Sequence, residues 1–151
     1  MAKRRRITKK AVVEALNADN YAAAQELGVA ALPHLRKIVE EDDMLMAAKA
    51  AYLAGLLDAK GSFEVIETAS KSRKPAVRAA AAAAAGKLTA TNPAPLLKRL
   101  LRSKAPAVRR WALRSTRTPD AETLRPQLVS IKDHDEAMDL RKSARNILKG
   151  L

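Results

Sequence analysis

The sequence contains no cysteine, which excludes disulfides, thiolate nucleophiles and cysteine metal ligands. A cysteine-free chain fits a reducing compartment, so a cytoplasmic location is expected. Aromatic residues make up only 3% of the chain, with one tryptophan, two tyrosines and one phenylalanine. That is too little aromatic and β-branched material for a sheet protein. The two histidines, His34 and His134, lie far apart, with no His or Cys at metal-ligand spacing. No apolar run of about 18 residues is free of charge, so no membrane span is expected. After Met1-Ala2-Lys3-Arg4-Arg5-Arg6 no long apolar run follows, so no secretory signal is expected either. Gly86-Lys87 lacks the rest of a phosphate-binding loop, and no Gly-x-Ser-x-Gly elbow occurs.

What the chain does have is alanine and positive charge. Alanine has the best helix propensity and lets helix backbones approach closely, so the composition points to close-packed helices. Its 151 residues amount to one domain. A fold of that size buries roughly 68–70% of its unfolded surface, enough for a core without staples. The formal net charge of +13 favours anionic partners such as nucleic acid, an acidic protein face or anionic lipid.

A 31-residue interval organises the sequence. It separates Gly55 from Gly86, Pro75 from Pro106, Val77 from Val108 and Arg78 from Arg109. Leu35, Ile66, Leu97 and Leu128 lie on the same step, as do Ile38, Ala69, Leu100 and Ile131. Pro33, Pro95 and Pro126 join them, with Glu64 in the remaining place. Internal repeats of this length indicate a solenoid.

Each unit reads as two helices. The first carries apolar residues at i, i+3 and i+4, as in Leu35, Ile38 and Val39 or Leu97, Leu100 and Leu101. Its proline falls in the first turn, where the missing N–H costs no intrahelical bond. A polar turn follows, such as Glu40-Glu41-Asp42-Asp43, Lys71-Ser72-Arg73-Lys74 or Arg102-Ser103-Lys104-Ala105. The second helix starts at Met44, Pro75 or Pro106, and Gly55 and Gly86 are expected at its C-cap. One hairpin buries too little to stand alone, and stacking creates a continuous core. The expected units are 32–62, 63–93, 94–124 and 125–151. Ahead of them lie capping helices over 9–31, around Lys9–Leu16 and Tyr21–Gly28, and a basic arm over 1–8.

The segment Val77-Arg78-Ala79-Ala80-Ala81-Ala82-Ala83-Ala84-Ala85-Gly86 resembles the second helix of HEAT repeats, closest to the bacterial HEAT-like subclass also found in phycobilin lyases. Val108-Arg109-Arg110-Trp111-Ala112-Leu113-Arg114 is a diverged copy, and the resemblance covers about residues 30–149. It implies an all-α fold, a right-handed α-solenoid of about four hairpins with an N-terminal helical cap. It also implies that second helices line a concave inner surface. Val77, Ala80, Ala81, Ala84 and Leu88 would then face the core, and Ala79 and Ala83 the open surface. The positions equivalent to that open pair are Ala48 and Tyr52, Arg110 and Arg114, and Lys142 and Asn146. Families of this type are mostly binding scaffolds. Their enzymatic relatives are bilin lyases and alkylpurine DNA glycosylases, the latter with an aromatic-lined basic groove and an acidic catalytic residue.

Two binding readings remain open. Residues 94–124 carry eight basic and two acidic residues, the electrostatic focus of the chain. Tyr52, Arg110, Arg114, Arg117, Lys142 and Asn146 are therefore the expected partner-binding residues, with an acidic or extended protein as partner. The alternative is DNA or RNA backbone held by the same patch and the arm Lys3, Arg4, Arg5 and Arg6. Trp111 aligns with Ala80 and is expected in the core. The column Arg78, Arg109 and Arg141 is expected to reach a carbonyl or carboxylate between repeats. Asp133-His134-Asp135-Glu136 is expected as a solvated acidic turn. Neither a catalytic constellation nor a metal or cofactor site is expected, and the sequence is silent on oligomeric state.

Overall fold

The computed structural model describes residues 6–41 and 43–151, and every regular element among them is helical. The N-terminal elements are α1 (Lys9–Asn17), α2 (Tyr21–Gln25) and a 3-10 turn (Gly28–Ala31). Four helical hairpins follow: α3 (Leu32–Glu41) with α4 (Met44–Leu57), α5 (Ser62–Ser70) with α6 (Pro75–Ala85), α7 (Ala94–Leu101) with α8 (Pro106–Ser115), and α10 (Arg125–His134) with α11 (Met138–Lys149). A short helix, α9 (Thr118–Thr123), precedes the last hairpin. The expected boundaries did not foresee it. Pro119 in its first turn and Asp120 at the positive end of its dipole favour a helix start there.

The caps explain where the helices begin. The side chains of Thr8, Asn20 and Asp43 accept hydrogen bonds from the backbone N–H groups of Ala11, Ala23 and Met46. Pro75 and Pro106 open α6 and α8 at positions whose N–H would have no helical partner.

The elements form an α-solenoid of two layers. α4, α6 and α8 pack side by side in one, and α3, α5 and α7 in the other. Burial follows the 31-residue lattice: Leu35, Ile66, Leu97 and Leu128 are buried, and so are Ile38, Ala69, Leu100 and Ile131. The core is thus one strip running between the layers.

Gly86 is the C-cap of α6, as expected, though with right-handed backbone, whereas Gly55 is not a cap; both glycines serve close helix packing. Gly55 lies inside α4, and a Cβ there would sit 2.7 Å from the Ala84 carbonyl oxygen on α6. A Cβ on Gly86 would meet Ser115 Oγ on α8 at 2.7 Å. The left-handed residue that ends α4 is Asp58, with φ of 44°. Its carboxylate accepts hydrogen bonds from the Thr89 and Ala90 backbone N–H groups and the Thr89 hydroxyl, stitching one repeat to the next.

The arginine column closes each interhelical turn. Arg78 Nη1 donates to the Ser72 carbonyl at 2.9 Å, Arg109 Nη1 to the Ser103 carbonyl at 2.9 Å, and Arg141 Nη1 to the Asp135 carbonyl at 2.7 Å. The partner carbonyl therefore belongs to the same hairpin. Arg109 also bridges repeats, donating through Nε and Nη2 to both Asp135 carboxylate oxygens at 2.7 and 3.0 Å.

Candidate functional site

The exposed face of the second-helix layer is built from one stripe, repeated. On α4 it holds Leu45, Ala48, Lys49 and Tyr52; on α6, Ala76, Ala79, Ala80 and Ala83. Both follow the i, i+3, i+4, i+7 spacing of one helix face, and 31 residues separate them position by position. On α8 the matching positions are Trp111, opposite Lys49 and Ala80, and Arg114, opposite Tyr52 and Ala83. Together with Tyr21, Gly86, Lys87, Ser115 and Arg117, these residues enclose a groove of about 890 Å³.

Side-chain size shapes the groove. The α6 alanines reach little beyond their backbone, so α6 is a low floor. Tyr52 rises on one side, held edge-on against Tyr21 with ring centroids 5.2 Å apart. Trp111 rises on the other side, with the Arg114 guanidinium 5.2 Å from its ring centre.

Trp111 is 42% exposed, contrary to its expected burial. Ala80, its counterpart on α6, also lies on the groove rather than in the core. The cause lies in α6 itself. Seven consecutive alanines, Ala79–Ala85, carry no polar side to mark which face is wet, so the register of the core cannot be read from them.

The groove is basic. Lys49, Lys87, Arg114 and Arg117 line it, with no carboxylate among its lining residues. These cations differ in freedom. Lys49 Nζ sits 2.6 Å from Asp19 and fastens the N-terminal helices to α4. Arg117 Nη2 donates to the Leu88 carbonyl at 2.6 Å, and its Nε lies 3.7 Å from Asp120. Lys87 and Arg114 pair with no carboxylate among the described residues. Burial pushes the Tyr21 phenol up, outweighing the pull of Lys49, so this wall residue stays neutral at pH 7.

The other expected binding residues are placed differently. Arg110 Nε donates to Asp139 at 2.9 Å and lies outside the groove lining. Lys142 and Asn146 are exposed on α11, beyond the groove. Of the basic arm, Lys3, Arg4 and Arg5 lie outside the described residues, and Arg6 is exposed ahead of α1. Leu45, Lys49, Lys87 and Tyr21 line the groove without having been singled out. The lattice pointed to the first two, because Leu45 and Lys49 precede Ala76 and Ala80 by one repeat.

Of the segment Asp133-His134-Asp135-Glu136, three residues are exposed as expected and one departs from expectation. Asp135 is not solvated: its side chain is 3% exposed, against 14% for Arg109. Burial opposes its ionisation, but Arg109 and the Ala137 N–H outweigh that and hold the carboxyl below the ordinary range. His134 lines a separate cleft beside this pair, and the His34 ring nitrogen Nε2 is hydrogen-bonded to the Ile7 carbonyl at 2.9 Å. Among the described residues no three His, Cys, Asp or Glu side chains are grouped to hold a metal ion. No helix among them is long and apolar enough to cross a membrane.

Hairpins stacked at a fixed repeat, with one helix layer bordering an open groove, define a helical-repeat α-solenoid. The chain belongs to the HEAT-repeat family: the family model for HEAT repeats matches residues 32–117, from α3 to just past α8. HEAT repeats are commonly protein-interaction scaffolds. No curated protein matches the chain.

Proposed function

We propose that this chain is a non-enzymatic scaffold that holds an acidic segment of a protein partner in the concave groove between α4, α6 and α8. The observation that carries this reading is the groove's composition. Its floor is apolar, aromatic rings stand on both walls, four cations line it, and no carboxylate does. Apolar and aromatic anchors supply most of the affinity at protein interfaces. Complementary charge supplies orientation and association rate. Lys87 and Arg114 are the side chains with free charge to offer; Arg110 and Arg117 are already engaged.

The test is fluorescence anisotropy with labelled acidic peptides carrying apolar anchors, on the wild-type chain and on Lys87→Glu/Arg114→Glu. Both positions are exposed, so circular dichroism and thermal midpoint are expected to stay unchanged. Reversing both charges is expected to weaken binding by about tenfold or more, or about 1.4 kcal/mol. Equal affinity for the two chains would remove the groove as the site.

A second reading, nucleic-acid backbone binding, is favoured by a separate observation. Lys71, Arg73, Lys74, Arg102 and Lys104 are exposed on two adjacent interhelical turns, with no carboxylate partner among the described residues. Binding to a mixed-sequence DNA duplex and an RNA hairpin at about 50 and 200 mM salt tests it, because phosphate-driven binding through six or more contacts loses orders of magnitude over that range. Micromolar binding that persists at the higher salt would place nucleic acid above the protein partner.

A further inference from the structure

We infer that the segment the groove accepts is an amphipathic α-helix with its carboxylates gathered toward one end, not an extended strand. This rests on the reading of the groove as a protein-binding face.

The walls decide the partner's backbone. α4, α6 and α8 use their backbone N–H and C=O groups within their own helices, and no sheet edge lies among the described residues. An extended segment pressed onto such walls would strip water from its own amides and find only a few polar side chains, such as Tyr52, Lys87 and Arg114, in place of a continuous row of backbone partners. A helix arrives with those groups already satisfied, which is why apolar grooves between helices take helices.

The floor and rims decide its side chains. Ala79, Ala80 and Ala83 leave a shallow bed in which a helix can sit close to α6. Leu45, Tyr52 and Trp111 stand around that bed, and Leu45 and Trp111 are among the chain's exposed large hydrophobics. Apolar partner residues at i, i+3, i+4 and i+7 form the stripe that such a bed buries.

Charge decides the polarity. Leu45 and Ala76 border the groove where α4 and α6 begin, and neither is charged. Lys87 follows the end of α6, and Arg114 is in the last turn of α8. Among the groove-lining residues, the two cations without a carboxylate partner thus stand where the second helices end. Partner carboxylates flanking the apolar stripe belong at that end.

The experiment is selection from a displayed library of random peptides about 16 residues long, roughly four helical turns. The wild-type chain is the bait, and Lys87→Glu/Arg114→Glu serves for counter-selection. Enriched peptides, resynthesised without tryptophan, are then titrated while Trp111 fluorescence and peptide circular dichroism are followed. The expected result is enrichment of apolar residues at helical spacing with Asp or Glu clustered toward one end, together with a gain in peptide helicity on binding. Selected peptides that alternate apolar and polar residues, or that bind with no gain in helicity, would overturn the helix inference and leave the groove reading standing. No enrichment over the charge-reversed bait, with Trp111 fluorescence unchanged by any peptide, would overturn both.

Discussion

Trp111 stands on the groove wall with nearly half of its surface in water. Its replacement by alanine is therefore expected to cost about 1–3 kcal/mol of stability, below the roughly 3–5 kcal/mol of a fully buried tryptophan. Peptide binding is expected to fall about tenfold or more in the same variant. Urea denaturation and anisotropy on one preparation separate the two effects.

Asp135 is the opposite case, a carboxylate almost sealed from solvent against Arg109. Asp135→Ala removes a charged hydrogen-bond partner and is expected to cost about 2–3 kcal/mol, less than for a fully buried pair because Arg109 keeps some solvent contact. The pH dependence follows from the direction of the shift. The folded-state value lies below the ordinary carboxylate value near 3.9. The pair's stabilisation is thus fully present well above about pH 4 and is lost as pH falls through the folded value. Asp58 is lowered as well, its hydrogen bonds from Thr89 and Ala90 outweighing burial, so it adds to the same acid loss. Thermal midpoints measured from about pH 6 down to pH 2.5 should decline, and Asp135→Asn should flatten that decline.

At the scale of elements, two glycines set how closely the second helices stack. A Cβ at Gly55 meets backbone atoms of Ala84, which cannot rotate away. Gly55→Ala is thus expected to destabilise the chain by about 1–3 kcal/mol despite alanine's better helix propensity. Gly150→Ala is the control, since the nearest atom to its Cβ is the Ile147 carbonyl oxygen at 3.5 Å. The urea midpoints of the two variants should differ clearly.

Element order was largely legible in the sequence because the 31-residue lattice marks the core with large aliphatic residues that water would penalise. Leu35, Ile66, Leu97 and Leu128 needed no structure to be placed inside. The facing of α6 was not legible, since an alanine helix has no wet side, and the error passed through the lattice from Ala80 to Trp111. Helix α9 was missed because it falls in the linker after α8, outside the lattice that marks the hairpins. Gly55 and Gly86 were visible as a column, but a glycine that only admits a neighbouring helix, as Gly55 does, and one that also ends its own, as Gly86 does, look alike in sequence.

For the whole molecule, the net charge of +13 is unevenly available. Part of it is engaged within the chain: Arg78, Arg109 and Arg141 on turns, Lys49 on Asp19, Arg110 on Asp139 at the surface, Arg117 on Leu88 and Asp120. Among the described residues, the cations without a carboxylate partner include Lys87 and Arg114 on the groove, Lys71, Arg73, Lys74, Arg102 and Lys104 on the turns, and Lys142 on α11. Arg110, Arg114 and Arg117 look alike by charge and exposure; placement outside the groove lining separates Arg110 from Arg114, and pairing separates Arg117. Pairing depends on residues about one repeat away, such as Asp139, which local sequence does not reveal.

A nitrogen-edited NMR titration of the labelled chain with an acidic amphipathic peptide tests the groove as the binding face most directly. Shifts are expected on Tyr52, Ala79, Ala83 and the Trp111 indole N–H, with the turns and the first-helix layer silent. Shifts confined to Lys71–Lys74 and Arg102–Lys104, or to α3, α5 and α7, would contradict that assignment.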